Sequence, residues 1–139
     1  MEQEWMPFII SIKTALTATM ITFFLGIFAA NKINKINPKH KGILDSLFTL
    51  PMVLPPTVIG FFLLVILGRN GFIGKMLYSM GINVIFSWGA TVIAAVVVSF
   101  PLMYSTAKGA FEQIDKNILN AAQTMRVSSF KIFWKIMIP

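Results

Sequence analysis

Pro51, Pro55 and Pro56 crowd into six residues of an apolar stretch, and Thr57 follows them directly. Proline carries no amide hydrogen and crowds the carbonyl one turn earlier, at about 3 kcal/mol or more in a helix interior. Hydrocarbon offers no water to repair the freed groups. Broken helix is tolerated there only where protein buries it or a wet cavity meets it. Three prolines this close favour a polar passage through an apolar layer, with Pro51, Pro55, Pro56 and Thr57 along it. A plain kink is the other reading, and it suffices for the single Pro101. Lys13 is a further candidate for the passage because of its depth in an apolar block. Snorkelling to the interface is the simpler account of both Lys13 and Asp45, since each lies near the end of its block.

Reaction chemistry is harder to find. The apolar blocks hold no carboxylate pair, histidine cluster or nucleophile–base set, which argues against an intramembrane hydrolase and a proton relay. Cysteine is absent, which excludes disulfides and thiolate metal sites, and His40 stands alone in a basic loop. No cofactor and no metal site is read. Gly68-Arg69-Asn70-Gly71-Phe72-Ile73-Gly74-Lys75 superficially resembles a phosphate-binding loop. The spacing needs glycine at 73, lysine at 74 and a hydroxyl residue next; Ile73, Gly74, Lys75 and Met76 do not supply it. A turn with flexible glycines is the better reading. Any nucleotide hydrolysis that drives this protein must come from another chain.

These residues are positioned by a chain built for a membrane. Of its 139 residues, 56% are hydrophobic and only 12% charged. A soluble domain carries about 25% charged residues. Three apolar blocks, residues 8–30, 43–68 and 84–107, each reach the roughly 20 residues a helix needs to cross a bilayer. The expected fold is an all-α integral membrane domain over 1–139: three transmembrane helices, then a helical hairpin over about 112–137. The net charge of +7 sits beside the apolar blocks, which fits membrane topology better than nucleic acid. Lys32, Lys35, Lys39 and Lys41 fill the first loop; Lys108, Lys116, Arg126, Lys131 and Lys135 follow the third block; the second loop holds only Arg69 and Lys75. The bias of basic residues to the cytoplasmic side predicts an outside N-terminus and a cytoplasmic hairpin. Glu2 and Glu4, with no basic residue before the first block, argue for a retained span rather than a secretory leader.

The hairpin has an apolar face on each half. Ile114, Ile118, Ala122 and Met125 share one at helical spacing, and Phe130, Phe133, Trp134 and Met137 make a second. Ser128 or Ser129 is placed to cap the second helix. The hairpin could seat a helix in a groove on a cytosolic partner with its aromatics buried. It could instead lie on the membrane, basic face toward lipid phosphates.

Spacing in this segment resembles the EAA loop of permease subunits in bacterial ATP-binding-cassette importers, whose pattern is E-A-A, three residues, G, nine residues, I, any residue, L-P. Ala121, Ala122, Ile136 and Pro139 match in register, and Ile138 replaces leucine. Asn120 stands where glutamate is usual and Arg126 where glycine is; because arginine tolerates positive φ poorly, altered backbone angles are expected at that turn. The run Leu50-Pro51-Met52-Val53-Leu54-Pro55-Pro56-Thr57-Val58-Ile59-Gly60, the glycines 68, 71 and 74, Ser11-Ile12-Lys13 and Phe100-Pro101-Leu102-Met103 look like the molybdate-type permeases. Sulfate permeases share the architecture but look less like the proline run.

The resemblance implies a bacterial inner-membrane subunit that does no chemistry itself. It further implies a second permease subunit in a homodimer, a cytosolic ATP-binding subunit, an external oxyanion-binding protein and surrounding lipid. Asn120, Ala121, Ala122, Arg126, Phe130, Phe133, Trp134 and Pro139 are then the residues expected to couple the motor to the spans. The family continues past Pro139 with further spans, so the chain looks like an N-terminal fragment. Sulfate, thiosulfate or tungstate transport is the alternative within the superfamily. A membrane-anchored scaffold with an interfacial helix is the alternative outside it.

Overall fold

A computed structural model describes residues 2–138, with side chains from Gln3 onward, and every regular element among them is helical. The order is α1 (Glu2–Asn34), α2 (Pro38–Val53), α3 (Pro56–Leu67), α4 (Phe72–Ser79), α5 (Trp88–Glu112), α6 (Lys116–Thr124), α7 (Ser129–Ile132) and a π-helical turn (Phe133–Met137). α1 and α5 are each long and apolar enough to cross a membrane. At 1.5 Å per residue α1 is roughly 50 Å long, so it overshoots the hydrocarbon or tilts within it.

α1 and α5 pack side by side and run parallel, as their contacts show. The Trp88 indole N–H donates to Thr14 Oγ1 at 2.9 Å, and further along both helices Thr22 and Ser99 hydroxyls meet at 3.0 Å. The Ser99 hydroxyl donates to the Ala95 carbonyl at 2.6 Å, so Thr22 is the donor across the pair. Thr14 likewise donates to the Ile10 carbonyl at 2.8 Å while accepting from Trp88. The Thr14 and Ser99 hydroxyls each donate to a carbonyl on their own helix and still join the two. Close approach is enabled by Gly26: a Cβ there would lie 2.6 Å from Met103 Cγ.

Two parallel neighbours require the chain between them to travel back. α2 does this first, antiparallel to α5, with Lys41 near Glu112 and Phe48 against Phe100. The span expected over residues 43–68 is broken at its prolines: α2 and α3 are bent by 109° at their junction, so the described residues hold three candidate spans only if that pair counts as one. Pro55 caps α3 and Pro56 is its first residue, where a missing amide costs nothing because that donor would be orphaned anyway. The third block also shifts. Helix begins at Trp88 rather than 84, with the Ser87 hydroxyl accepting from the Ala90 amide at 3.3 Å, and runs on to Glu112.

Candidate functional site

Two places gather the residues singled out from sequence. The first follows α5. Asp115 caps α6 by accepting from the Asn117 amide at 2.8 Å. α6 ends in a Schellman arrangement: Val127 N–H bonds the Ala122 carbonyl at 3.2 Å and Arg126 N–H bonds the Gln123 carbonyl at 3.0 Å. Arg126 takes φ 55°, the left-handed conformation glycine would adopt without strain. The altered turn expected from arginine is therefore corrected: the paired backbone bonds hold the left-handed geometry despite the Cβ. Ser128 caps α7, accepting from the Lys131 amide at 3.4 Å.

The π turn then splits the second apolar stripe. Its wide bonding shows in Ile138 N–H to the Phe133 carbonyl at 3.1 Å. Phe133 is 6% exposed and lies against Phe28 and Phe111, at ring distances of 6.1 and 6.3 Å. It joins Ala30, Ile33, Tyr104, Ala107 and Phe111 in the core. Phe130 is 72% exposed and Trp134 46%, with their rings 6.1 Å apart. Phe133, expected as a partner-docking aromatic, instead fastens the segment to α1 and α5. Ala122 is buried as well; Asn120, Ala121 and Arg126 are exposed on the outer side. Pro139 lies outside the described residues. Behind the segment an open cleft of ≈ 600 Å³ faces the α1–α2 turn, lined by Asn31, Lys35, Lys41, Glu112, Gln123 and Ser129 among others. The Asn31 Oδ1 is buried there without a hydrogen-bond partner among the described residues.

The second place is the α2–α3 junction. The missing amides of Pro51, Pro55 and Pro56 withdraw the i→i−4 donors that would have reached the carbonyls of Leu47, Pro51 and Met52. Leu54 N–H on the Leu50 carbonyl at 3.3 Å closes α2, and Val58 N–H on the Pro55 carbonyl at 2.9 Å opens α3. Pro55, Pro56 and Thr57 are exposed and Pro51 is half-buried. Lys13 is not part of this place. It lines a separate groove with Ile10 and the start of α5, beside Phe86, Trp88 and Thr91.

Sequence reasoning missed a polar cluster between α2 and α5. Asp45 takes the Tyr104 hydroxyl at 2.5 Å on one carboxylate oxygen and the Lys108 ammonium on the other. Lys108 also lies 3.9 Å from Glu112, which lies 3.5 Å from Lys41. The available signal was spacing: Lys41 and Asp45 are one turn apart, as are Tyr104, Lys108 and Glu112.

Residues 22–139 match the model of a family described as the binding-protein-dependent transport system inner membrane component. The chain is similar to the molybdenum transport system permease protein ModB of Escherichia coli K12, 40% identical over 139 residues, covering 99% of this chain and 61% of that protein. The protein of the same name from Haemophilus influenzae is 39% identical over 131 residues, 94% of this chain and 57% of that one. A relative from Chlorokybus atmophyticus named for sulfate transport is 32% identical over 132 residues, 95% of this chain and 46% of that one. The chain thus spans about three fifths of the length of the molybdenum permeases it matches. With the match reaching across α5 and the whole terminal segment, the chain belongs to the family of inner membrane components of binding-protein-dependent transport systems.

Proposed function

We propose that this chain forms part of the membrane subunit of an ATP-driven oxyanion importer whose substrate is molybdate. The observation that carries the reading is the terminal segment. It is anchored from behind by Ala122, Ile132 and Phe133 and presents Phe130 and Trp134 forward. Exposed aromatics on a rigidly held base are the usual anchors of a helix that seats in a partner's groove. The partner in this reading is a cytosolic ATP-binding subunit. An external oxyanion-binding protein and a second copy of the permease complete the assembly. Molybdate is preferred to sulfate because the molybdenum permeases of Escherichia coli and Haemophilus influenzae match at 39–40% identity and the sulfate relative at 32%, although other molybdenum permeases match at 30–32%.

Orientation follows from charge. Lys32, Lys35, Lys39, Lys41, Lys108, Lys116, Arg126, Lys131 and Lys135 belong to the end where α1 and α5 finish, and only Arg69, in the loop between α3 and α4, and Lys75, in α4, lie between α3 and α5. That asymmetry supports a cytoplasmic segment after α5 and an outside N-terminus. Movement of the segment by the motor then repositions α5 and α2, and the α2–α3 junction, with Thr57 exposed beside it, admits the hydrated anion. Tight binding belongs to the external protein. A passage offering only brief polar contact releases its cargo quickly.

The deciding experiment reconstitutes the complete subunit with its ATPase and binding protein in vesicles. ATP-dependent molybdate uptake, displaced by tungstate and weakly by sulfate, is the expected result. Equal displacement by sulfate would remove the molybdate assignment, and no ATP-dependent uptake would remove transport itself. These 139 residues hold no cysteine, so Lys131→Cys in a complete subunit cleared of any other cysteine gives a single label. Reaction with an impermeant maleimide in intact cells would reverse the orientation.

A further inference from the structure

The facing sides of α2 and α5 carry matched charge. Along α2 the order is cation then anion, Lys41 then Asp45; along α5 it is again cation then anion, Lys108 then Glu112. Antiparallel packing sets each cation against an anion. Lys41 Nζ lies 3.5 Å from Glu112 Oε1, and Lys108 Nζ pairs with Asp45 Oδ2. A slip of one turn in one direction would set Lys41 against Lys108, and in the other Asp45 against Glu112. Either slip exchanges attraction for repulsion, so the pattern fixes the register of the two helices.

Tyr104 ties this pattern to the core. It is fully buried and donates its hydroxyl to the free oxygen of Asp45. Its ring stacks on Phe100 at 6.1 Å and meets Phe48 of α2 at 5.3 Å, and it shares a core with Phe111 and Phe133. Asp45 therefore has both carboxylate oxygens engaged on α5, about two turns before α2 ends at the proline junction.

We propose that Asp45, Tyr104, Lys108 and Glu112, with Lys41, are positioning residues that make α2 follow α5 and the terminal segment as one body, delivering displacement of that segment to the α2–α3 junction. This rests on the transport reading above and adds the route by which motion crosses the subunit.

The test uses the complete subunit assembled with its ATPase and binding protein, scoring molybdate imported per ATP hydrolysed. Asp45→Asn and Lys108→Ala are expected to assemble and to hydrolyse ATP near the parental rate while that ratio falls about tenfold. A fall in that ratio at unchanged assembly is what a merely structural role does not predict, and Lys108→Arg and the exchanged pair Asp45→Lys with Lys108→Asp should restore most of the ratio. An unchanged ratio in the single variants overturns the proposal. So does lost assembly that neither Lys108→Arg nor the exchanged pair repairs. A second measurement is independent of uptake. Spin labels at Ser46→Cys on α2 and Ser105→Cys on α5 should hold one distance with and without ATP in the parent and spread in Asp45→Asn. A spread distance in the parent rejects the linkage. A held distance with no uptake keeps it and places the failure on the transport reading.

Discussion

The two ends of α5 sit in different surroundings. Where α5 finishes, Tyr104, Ala107 and Phe111 are buried among Ala30, Ile33 and Phe133, and paired charges bind the neighbouring α2. Where α5 starts, α3 buries only Ile59, α4 only Gly74, and Phe86 is 98% exposed at φ 57°. Close packing transmits force because interlocked side chains have few alternative arrangements. A loosely held region deforms instead. In the importer proposed above, this contrast would make the terminal segment the rigid lever and the α2–α3 junction the yielding element.

The strongest way to break that contrast is to remove the rivet at the rigid end. Phe133→Ala is expected to destabilise the subunit by about 3 kcal/mol, the usual range for deleting a buried phenylalanine. Thermal unfolding in detergent measures this; a shift no larger than for an exposed residue would dissolve the distinction between the two ends. Trp134→Ala sharpens the comparison from the other side. It should leave the unfolding transition in place but weaken association with the ATPase by about 2 kcal/mol, roughly thirtyfold, as loss of an interfacial aromatic anchor does. Titration binding to the purified ATPase reads it, and a stability loss matching that of Phe133→Ala would mean Trp134 is core rather than contact.

Smaller effects refine the picture. Arg126→Gly should stabilise the turn by about 1 kcal/mol by relieving the left-handed strain. Slower hydrogen exchange at the Val127 amide is the readout, and faster exchange would show that the arginine side chain contributes more than its backbone costs. Thr22→Val should cost about 0.6 kcal/mol, the average for a hydrogen bond between helices in a membrane. A loss above that of Phe133→Ala would place the main α1–α5 attachment mid-helix rather than at the terminal segment.

Much of the local structure was legible from residue order. The apolar blocks carry α1 and α5, and Ser128, one of the two serines placed to cap the second short helix, does so; the Asp115 cap of α6 came only with the structure. The interruption after Pro51 was legible as a disturbance but not as a new start, because Pro55 and Pro56 read alike whether they break one helix or open another. Arg126 misled for a related reason: a Cβ disfavours positive φ, yet two backbone bonds closing the α6 turn outweigh it.

By itself the sequence determined that this chain belongs in a bilayer, where its basic residues accumulate, and that an amphipathic segment follows the third block. Those properties depend on composition and on neighbours within a few residues. Which side of each helix turns inward was settled only by the tertiary structure. Thr22 finds Ser99 across 77 residues and Asp45 finds Lys108 across 63, and Phe133 turns inward while Phe130 stays out because Phe28 and Phe111 stand on one side of it. Periodicity states that a helix has a face; only packing between distant segments decides what that face meets.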